Sequence, residues 1–454
     1  MPFRMADAVI VPRAQHPISR RNIDPDALKV LYRLQQFHYA AYLVGGSVRD
    51  LLLGRQPKDF DIGTDAHPYQ IKKLFRNCWI IGRRFRLAHV RFCNKTIEVA
   101  TFRRSVLPGT ENEPATAEAS PAAELLIRHD NTFGTPEEDA FRRDFTINAL
   151  FYDIATLSII DYVGGLEDLR QGIIRSIGDP RQRFQEDPVR MFRAVAFAAR
   201  LGFTLDEPVA DAIREYRQLI ANASPARLIE EYYKVLRSGS AEQTFRLLHQ
   251  HGLLEPITPE LHGHAQQEAL WRALADLDRY RRKFDALPEG LTNAVLLGTL
   301  LVPLGLMPGR PRKRGSAEED TDEQLVERRR RRRPLKEPPL KIGLLPIARR
   351  DTERLRQILS IQRRLLDLHA TPRAKRSLMH RGPFQEAMVW LEVHGVAPEA
   401  LEHWRGFIEA SDSLPPLEGP ADARDEDGAR IPGGRRRRRR RGRRHGRFNR
   451  KGEI

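Results

Sequence analysis

"LVGGSVRDLLLGRQPKDFDIGT", residues 43–64, passes from the end of an apolar strand through a glycine turn and a short helix into a second strand. The run "AAYLV" at 40–44 is short and unbroken, as a buried strand requires, and "VRDLLLG" at 48–54 reads as a helix stopped by Gly54. "FDIGT" at 60–64 reads as the next strand. Side chains two apart on a strand share a face, so Asp59 and Asp61 project together. Adjacent carboxylates repel unless solvent screens them or a cation sits between them. Magnesium takes one or two carboxylates and keeps room for substrate phosphates, so the functional reading is a divalent site and the plain one a solvated strand end. Just upstream, the backbone N–H groups of Gly45, Gly46 and Ser47 open a helix and suit a phosphate, and Arg49 one turn in can pair with the same anion. The glycines equally serve an ordinary left-handed turn.

Outward from this stretch, strands and helices do not alternate regularly. "DPDALKVLYRLQQFHY" opens with Asp24 as an acidic N-cap and Pro25 in the first helical position, and Leu28, Leu31, Tyr32, Leu34 and Phe37 fall on one face. A helix over 67–76, the strands "LAHVRF" and "TIEVATF", and an Ala-, Pro- and Glu-rich surface loop at 105–123 follow. From about residue 180 the pattern is helical, through "DPVRMFRAVAFAARLGF", "PARLIEEYYKVLRSG" and "AEQTFRLLHQHGLL". The expected class is α+β: a small β-sheet with helices, then an all-α part.

The 454 residues suffice for two or three domains. The net charge of +17 suggests a polyanionic partner, but it is unevenly spread: 433–454 carries +11 and 308–334 carries +4, leaving the rest nearly neutral. Arg435–Arg441 is uninterrupted and fits sequence-independent attachment to a polyanion; a tail that aids solubility or meets a protein is the alternative. The stretch 308–338 is too charged and Pro-rich to bury a face and is expected to be disordered. Cys78 and Cys93 give neither a disulfide framework nor metal spacing, in keeping with a reducing cytosol. No signal-peptide pattern is present, and "AVLLGTLLVPLGLMP" at 294–308 is short for a membrane span and reads as a core helix and its exit.

A third carboxylate would complete a two-metal arrangement. Glu98 in "TIEVATF" and Asp144 in "RRDFTINALFYD" are both candidates; the plain readings are an exposed strand position for the first and a helix N-cap for the second. Asp187 and Arg190, three apart after "ED", share a helix face and offer an acceptor and a donor to a nucleobase edge, or form a surface ion pair.

The motifs "LVGGSVRDLLLGRQPKDFDIGT", "RRDFTINALFYD", "DYVGGLEDL" and "EDPVRMFRAVAFAARLGF" occur in the order and spacing of the class II nucleotidyltransferases, the family of bacterial poly(A) polymerases and CCA-adding tRNA nucleotidyltransferases. The resemblance covers about residues 15–255. "HPISRRNIDPDALKVLYRL", "KLFRNCWIIGRRFRLAHVRF", "HDNTFGTPEEDAFRRDFTINAL" and the basic tail look like the poly(A) polymerase branch, while the insertion at 308–338 departs from the family pattern.

The resemblance implies that Asp59 and Asp61 hold two catalytic Mg²⁺ ions with Glu98 as third carboxylate, and that Gly45, Gly46 and Arg49 bind the triphosphate. It implies that Asp144 lies near the nucleotide ribose with Arg143 and Asn148 around it, that Asp187 and Arg190 read the base, and that Arg193 lies near the triphosphate. The implied reaction is template-free addition of AMP from ATP to RNA 3′ ends in the cytoplasm, with RNA bound largely without sequence preference and RNA-decay proteins as possible partners of the Arg-rich tail. The expected division is a flexible tail over 1–23, a nucleotidyltransferase head over 24–178, a helical neck over 179–240, a helical body over 241–412, and a disordered tail over 413–454, acidic and then Arg-rich.

Overall fold

An eight-stranded sheet organises the N-terminal half of the computed structural model, which describes residues 8–82, 86–93, 95–104, 133–306, 341–395 and 397–412. Its strands are β1 (Val9–Val11), β2 (Ala41–Val44), β3 (Ile62–Thr64), β4 (Cys78–Ile81), β5 (Leu87–Phe92), β6 (Lys95–Thr101), β7 (Leu150–Asp153) and β8 (Ser158–Asp161), in the order β1-β8-β7-β2-β3-β6-β5-β4. All pairings are antiparallel except β3 with β6, where Ile62 pairs with Val99 in parallel.

Alternation gives the sheet two faces. Leu43, Ile62, Val90, Val99 and Tyr152 are buried on the back, under α1 (Pro25–Gln36) and α3 (Pro68–Leu74). Val44 and Phe151 point to the front and pack with Phe102, Ala140, Ala149 and Ile177, so the helix Pro136–Phe141 covers that end of the front face. Asp24 caps α1 as expected, accepting the Asp26 N–H at 2.8 Å.

Residues 8–23 depart from the expected flexible tail. Val9–Val11 pairs with β8 at the sheet edge, Ile18 and Ile23 are buried, and the His16 ring meets the Leu157 carbonyl at 2.9 Å. A three-residue strand is too short to register as a period, so only tertiary pairing reveals it. "FDIGT" is also shorter than expected: the strand begins at Ile62, though the Asp61 carbonyl still accepts the Val44 N–H at 3.0 Å.

After β8 the regular structure among the described residues is helical apart from two-residue strands at Ile173–Ile174, Thr204–Leu205, Lys341–Ile342 and Leu345–Pro346. Helices Pro180–Glu186, Val189–Leu201, Pro225–Leu236 and Ala241–Gln250 follow the sheet. The apolar run at 294–308 supplies the helix Asn293–Leu301, whose residues from Ala294 onward are buried, with Gly298 so close to Trp390 that a Cβ would overlap the ring. No described helix is long and apolar enough to cross a membrane. The expected loop at 105–123, insertion at 308–338 and tail at 413–454 lie outside the described residues.

Candidate active site

The segment before β3 carries the first pair of carboxylates. Phe60 is buried and flanked by exposed Asp59 and Asp61, so the pair shares the outer face despite lying just ahead of the strand. The parallel register of Ile62 with Val99 sets Asp61 beside Glu98 of β6. Solvent reaches Asp61, yet the protein packed around it, then Glu98, then Asp59, push its carboxyl up to about 6, and Arg143 offsets only part of this. Glu98 is half exposed and lies 3.6 Å from His89 Nε2 on β5. Among the described residues no group of three or more His, Cys, Asp or Glu side chains stands close enough together to hold a metal ion by itself. An open, charge-crowded carboxylate set suits a hard divalent ion that keeps water and substrate oxygens among its ligands.

The glycine turn stands next to this cluster. Gly45 has φ +70°, which L side chains rarely adopt, and a Cβ there would come within 2.9 Å of Arg143 Nη1. The turn launches α2 (Gly46–Leu52), whose Arg49 is buried, with Nη2 2.7 Å from Asp50 Oδ1 and Nη1 donating to Asn148 Oδ1. Arg49, Arg193 and Arg200 all stack on the Phe197 ring, at 5.3, 5.2 and 5.2 Å from its centre. Crowding shows in Arg200, which desolvation and then Arg49 pull down to about 10. Lys58, next to Asp59, is likewise lowered by burial and by Arg281 and Arg200. A group of carboxylates thus lies beside a group of guanidiniums, of which Arg49 and Arg193 are paired with Asp50 and Asp144 and Arg200 is the one pulled down.

Asp144 plays a different part from Glu98. It precedes a short 3₁₀ turn at Thr146–Asn148 and does not cap an α-helix. Its Oδ1 accepts from the Phe145 N–H at 2.9 Å and Asn148 Nδ2 at 3.1 Å, and its Oδ2 faces Arg193 Nη2 at 2.6 Å. Burial opposes the Asp144 charge, but Arg193 and then the Asn148 hydrogen bond outweigh it and hold the carboxyl at about 2. Asn148 also receives Arg49, so Asp144 and Asn148 tie the guanidinium groups of two elements together. Arg143 is anchored by Asp139, Nη2 to Oδ2 3.0 Å, and donates to the Asn148 carbonyl at 3.0 Å. Of the two candidate third carboxylates, Glu98 is the one coupled to Asp61.

At the start of the helix Val189–Leu201, the expected Asp187–Arg190 pair is loose, 4.0 Å from Arg190 Nε to Asp187 Oδ2. Asp187 instead receives a two-pronged contact from Arg227, 2.8 Å to each oxygen. Arg190 is buried, and its Nη1, in a loose ion pair 3.5 Å from Glu186 Oε2, makes no hydrogen bond among the described residues. Burial and then Arg183 lower its pKa. A buried donor left unpaired is costly unless a ligand completes it.

Sequence reasoning omitted Phe197, Lys58 and Arg227, and noted Arg200 on the "EDPVR" helix without giving it a role. Arg190, Arg193, Phe197 and Arg200 recur at helical spacing on one face, so the stripe was present in the sequence. Arg227 had no such signal, because it reaches Asp187 from the helix Pro225–Leu236.

Comparisons with known proteins bear on this arrangement. Residues 41–175 match the family described as "Poly A polymerase head domain", 202–264 match "Probable RNA and SrmB- binding site of polymerase A", and 341–445 match "Polymerase A arginine-rich C-terminus". The chain is 52% identical over 252 residues to poly(A) polymerase I of Salmonella typhi, covering 56% of this chain and 54% of that protein. It is 34% identical over 263 residues to the CCA-adding enzyme of Bacillus velezensis, covering 58% of this chain and 63% of that one. These matches span little more than half the length of the curated relatives. The fold is similar to the crystal structure of Bacillus stearothermophilus CCA-adding enzyme in complex with CTP, with a TM-score of 0.57, 26% identity and coverage of 86% of this chain and 84% of that one. Residues 41–175 thus belong to the poly(A) polymerase head-domain family, and 202–264 and 341–445 match two further segments of polymerase A.

Proposed function

We propose that the chain is a template-independent polynucleotide adenylyltransferase, which adds AMP from ATP to RNA 3′ ends and releases pyrophosphate in the cytoplasm, in mRNA polyadenylation and RNA decay. The observation that carries this reading is geometric: Asp59 and Asp61, with Glu98 in register beside Asp61, stand next to the Gly45 turn that launches Arg49, which shares the Phe197 ring with Arg193 and Arg200. A cation belongs at the carboxylates and a polyphosphate at the turn and the guanidinium groups.

Asp59 and Asp61, with Glu98, would hold the divalent ions. Two Mg²⁺ ions bound there would lower the pKa of the attacking 3′-hydroxyl and neutralise charge on the leaving pyrophosphate. Gly45 and Gly46 bring backbone close to the phosphates, while Arg49, Arg193 and Arg200 balance their charge. Asp144 and Asn148 keep Arg49 and Arg193 in place. The 3′-oxygen bonds to the α-phosphorus as the bond to pyrophosphate breaks, and its proton passes to solvent. Arg190 and Asp187 present a donor and an acceptor to the adenine edge. Relatives named poly(A) polymerase I support ATP as the nucleotide.

The second reading is CCA addition, favoured by the structural similarity to a CCA-adding enzyme. A non-catalytic RNA-binding protein on the same fold is disfavoured by the retained Asp59, Asp61, Gly45, Gly46 and Arg49. One assay separates the three. An oligoribonucleotide and a tRNA lacking CCA are each incubated with Mg²⁺ and one nucleotide at a time. A long ladder with ATP alone is expected; dependence on CTP, or no addition at all, overturns the proposal.

A further inference from the structure

The carboxylate cluster has two approaches. On one side stand the glycine turn, Arg49, Arg193 and Arg200, and the front of the sheet there is covered by Pro136–Phe141. On the other side the front face of β6, β5 and β4 carries exposed side chains. The register pairs Trp79 with His89 and His89 with Glu98, and Asp61 lies beside Glu98, so Trp79, His89, Glu98 and Asp61 form one row across four adjacent chain segments. At the usual strand spacing Trp79 is roughly 10 Å from Glu98 and roughly 14 Å from Asp61.

Trp79 is 52% and Ile81 50% exposed, and with His89, Arg91 and Thr96 they line a shallow recess on this face. The other tryptophans, Trp271, Trp390 and Trp404, are buried at 5, 7 and 0% exposure. An apolar platform with an arginine beside it, continuous with a carboxylate row, has the character of a single-strand nucleic-acid site: rings stack on bases of any identity and the guanidinium meets the backbone.

We infer that the outer face of β4 and β5 seats the last nucleotides of the RNA acceptor, with Trp79 stacked on a base and Arg91 beside a phosphate. The inference rests on the reading of Asp59, Asp61 and Glu98 as the site where the 3′-hydroxyl reacts. At about 3.4 Å per stacked base, Trp79 meets a base about three or four nucleotides from the 3′ end. Stacking carries no base readout, which suits an acceptor of any sequence.

Trp79 is its own reporter, being the one exposed tryptophan among the four. Titrating the full chain with a short oligoriboadenylate, without ATP, should quench its tryptophan fluorescence, and Trp79→Phe should abolish that change while retaining the fold. Trp79→Ala should raise KM for the oligonucleotide about tenfold and leave KM for ATP unchanged. An unmoved signal at RNA concentrations that saturate binding by anisotropy overturns the inference, as does an unchanged oligonucleotide KM in Trp79→Ala. So does a Trp79 already shielded from acrylamide before RNA is added, which would mean that another segment of the chain covers the face. Quenching by RNA in a protein that transfers no AMP would keep the binding site and reject the proposed function; transfer without quenching would do the reverse.

Discussion

Replacing Glu98 with Gln should release Asp61. The two residues lie side by side, Asp61 just ahead of β3 and Glu98 on β6, about 5 Å apart at normal strand spacing. Glu98 is half exposed, so the effective dielectric lies between the surface and bulk-water limits, and the repulsion amounts to about 1–2 kcal/mol, roughly one pH unit. In the metal-free protein Asp61 should therefore titrate about one unit below its value of about 6 in Glu98→Gln, and by less than that in Asp59→Asn, since Glu98 is the larger charge contribution. The folded state holds the Asp61 proton more tightly than the unfolded chain, so ionising this group costs stability as pH rises from 3.8 through about 6. A bound cation reverses that, so the rise in Tm on adding Mg²⁺ should grow with pH across the same window and shrink in Glu98→Gln. Isotope-edited NMR titration of the Asp61 carboxyl and Mg²⁺ thermal shifts at a series of pH values read both. An Asp61 titration that does not move in Glu98→Gln, or moves more in Asp59→Asn, refutes the coupling.

Asp144→Ala strips Arg193 of its closest partner and should lower stability by about 3 kcal/mol in denaturant unfolding, with much of the nucleotide affinity lost. Because Asp144 is held at about 2, its stabilisation is present above 3.8 and lost as pH falls towards 2, so the wild-type advantage over Asp144→Ala should vanish in acid melts. Asp187→Asn keeps the size but loses the paired Arg227 contact and the pure acceptor, and should reduce the preference for ATP over CTP about tenfold in competition kinetics. Deleting 433–454, which carries +11, should weaken RNA binding and flatten its salt dependence with ATP affinity intact; an unchanged salt slope removes the tail from RNA binding.

Much of this site was legible in the sequence because its residues are local. Asp59 and Asp61 flank a buried Phe60, Gly45 precedes a helix, and "EDPVR" starts another, so spacing alone put each side chain on its element. The helical stripe Arg190, Arg193, Phe197, Arg200 is equally local, but Arg49 joins the same ring from a different element, which no spacing within the helix shows. Long-range pairings were not legible: β1 joining β8, Arg227 reaching Asp187, and Asp144 spent on Arg193 are products of packing between segments distant in sequence. The parallel register of β3 and β6 belongs with these, and it is what separates Glu98 from Asp144 as partner of Asp61.

The central claim is that Asp59 and Asp61 carry adenylyl transfer. Its most direct measurement is pyrophosphate release from ATP with an oligoribonucleotide acceptor and Mg²⁺, comparing the wild-type chain with Asp61→Asn at equal folded fraction. The account predicts release by the wild-type chain that depends on the acceptor, and a loss of at least about a hundredfold in Asp61→Asn; full-rate release by Asp61→Asn would contradict it.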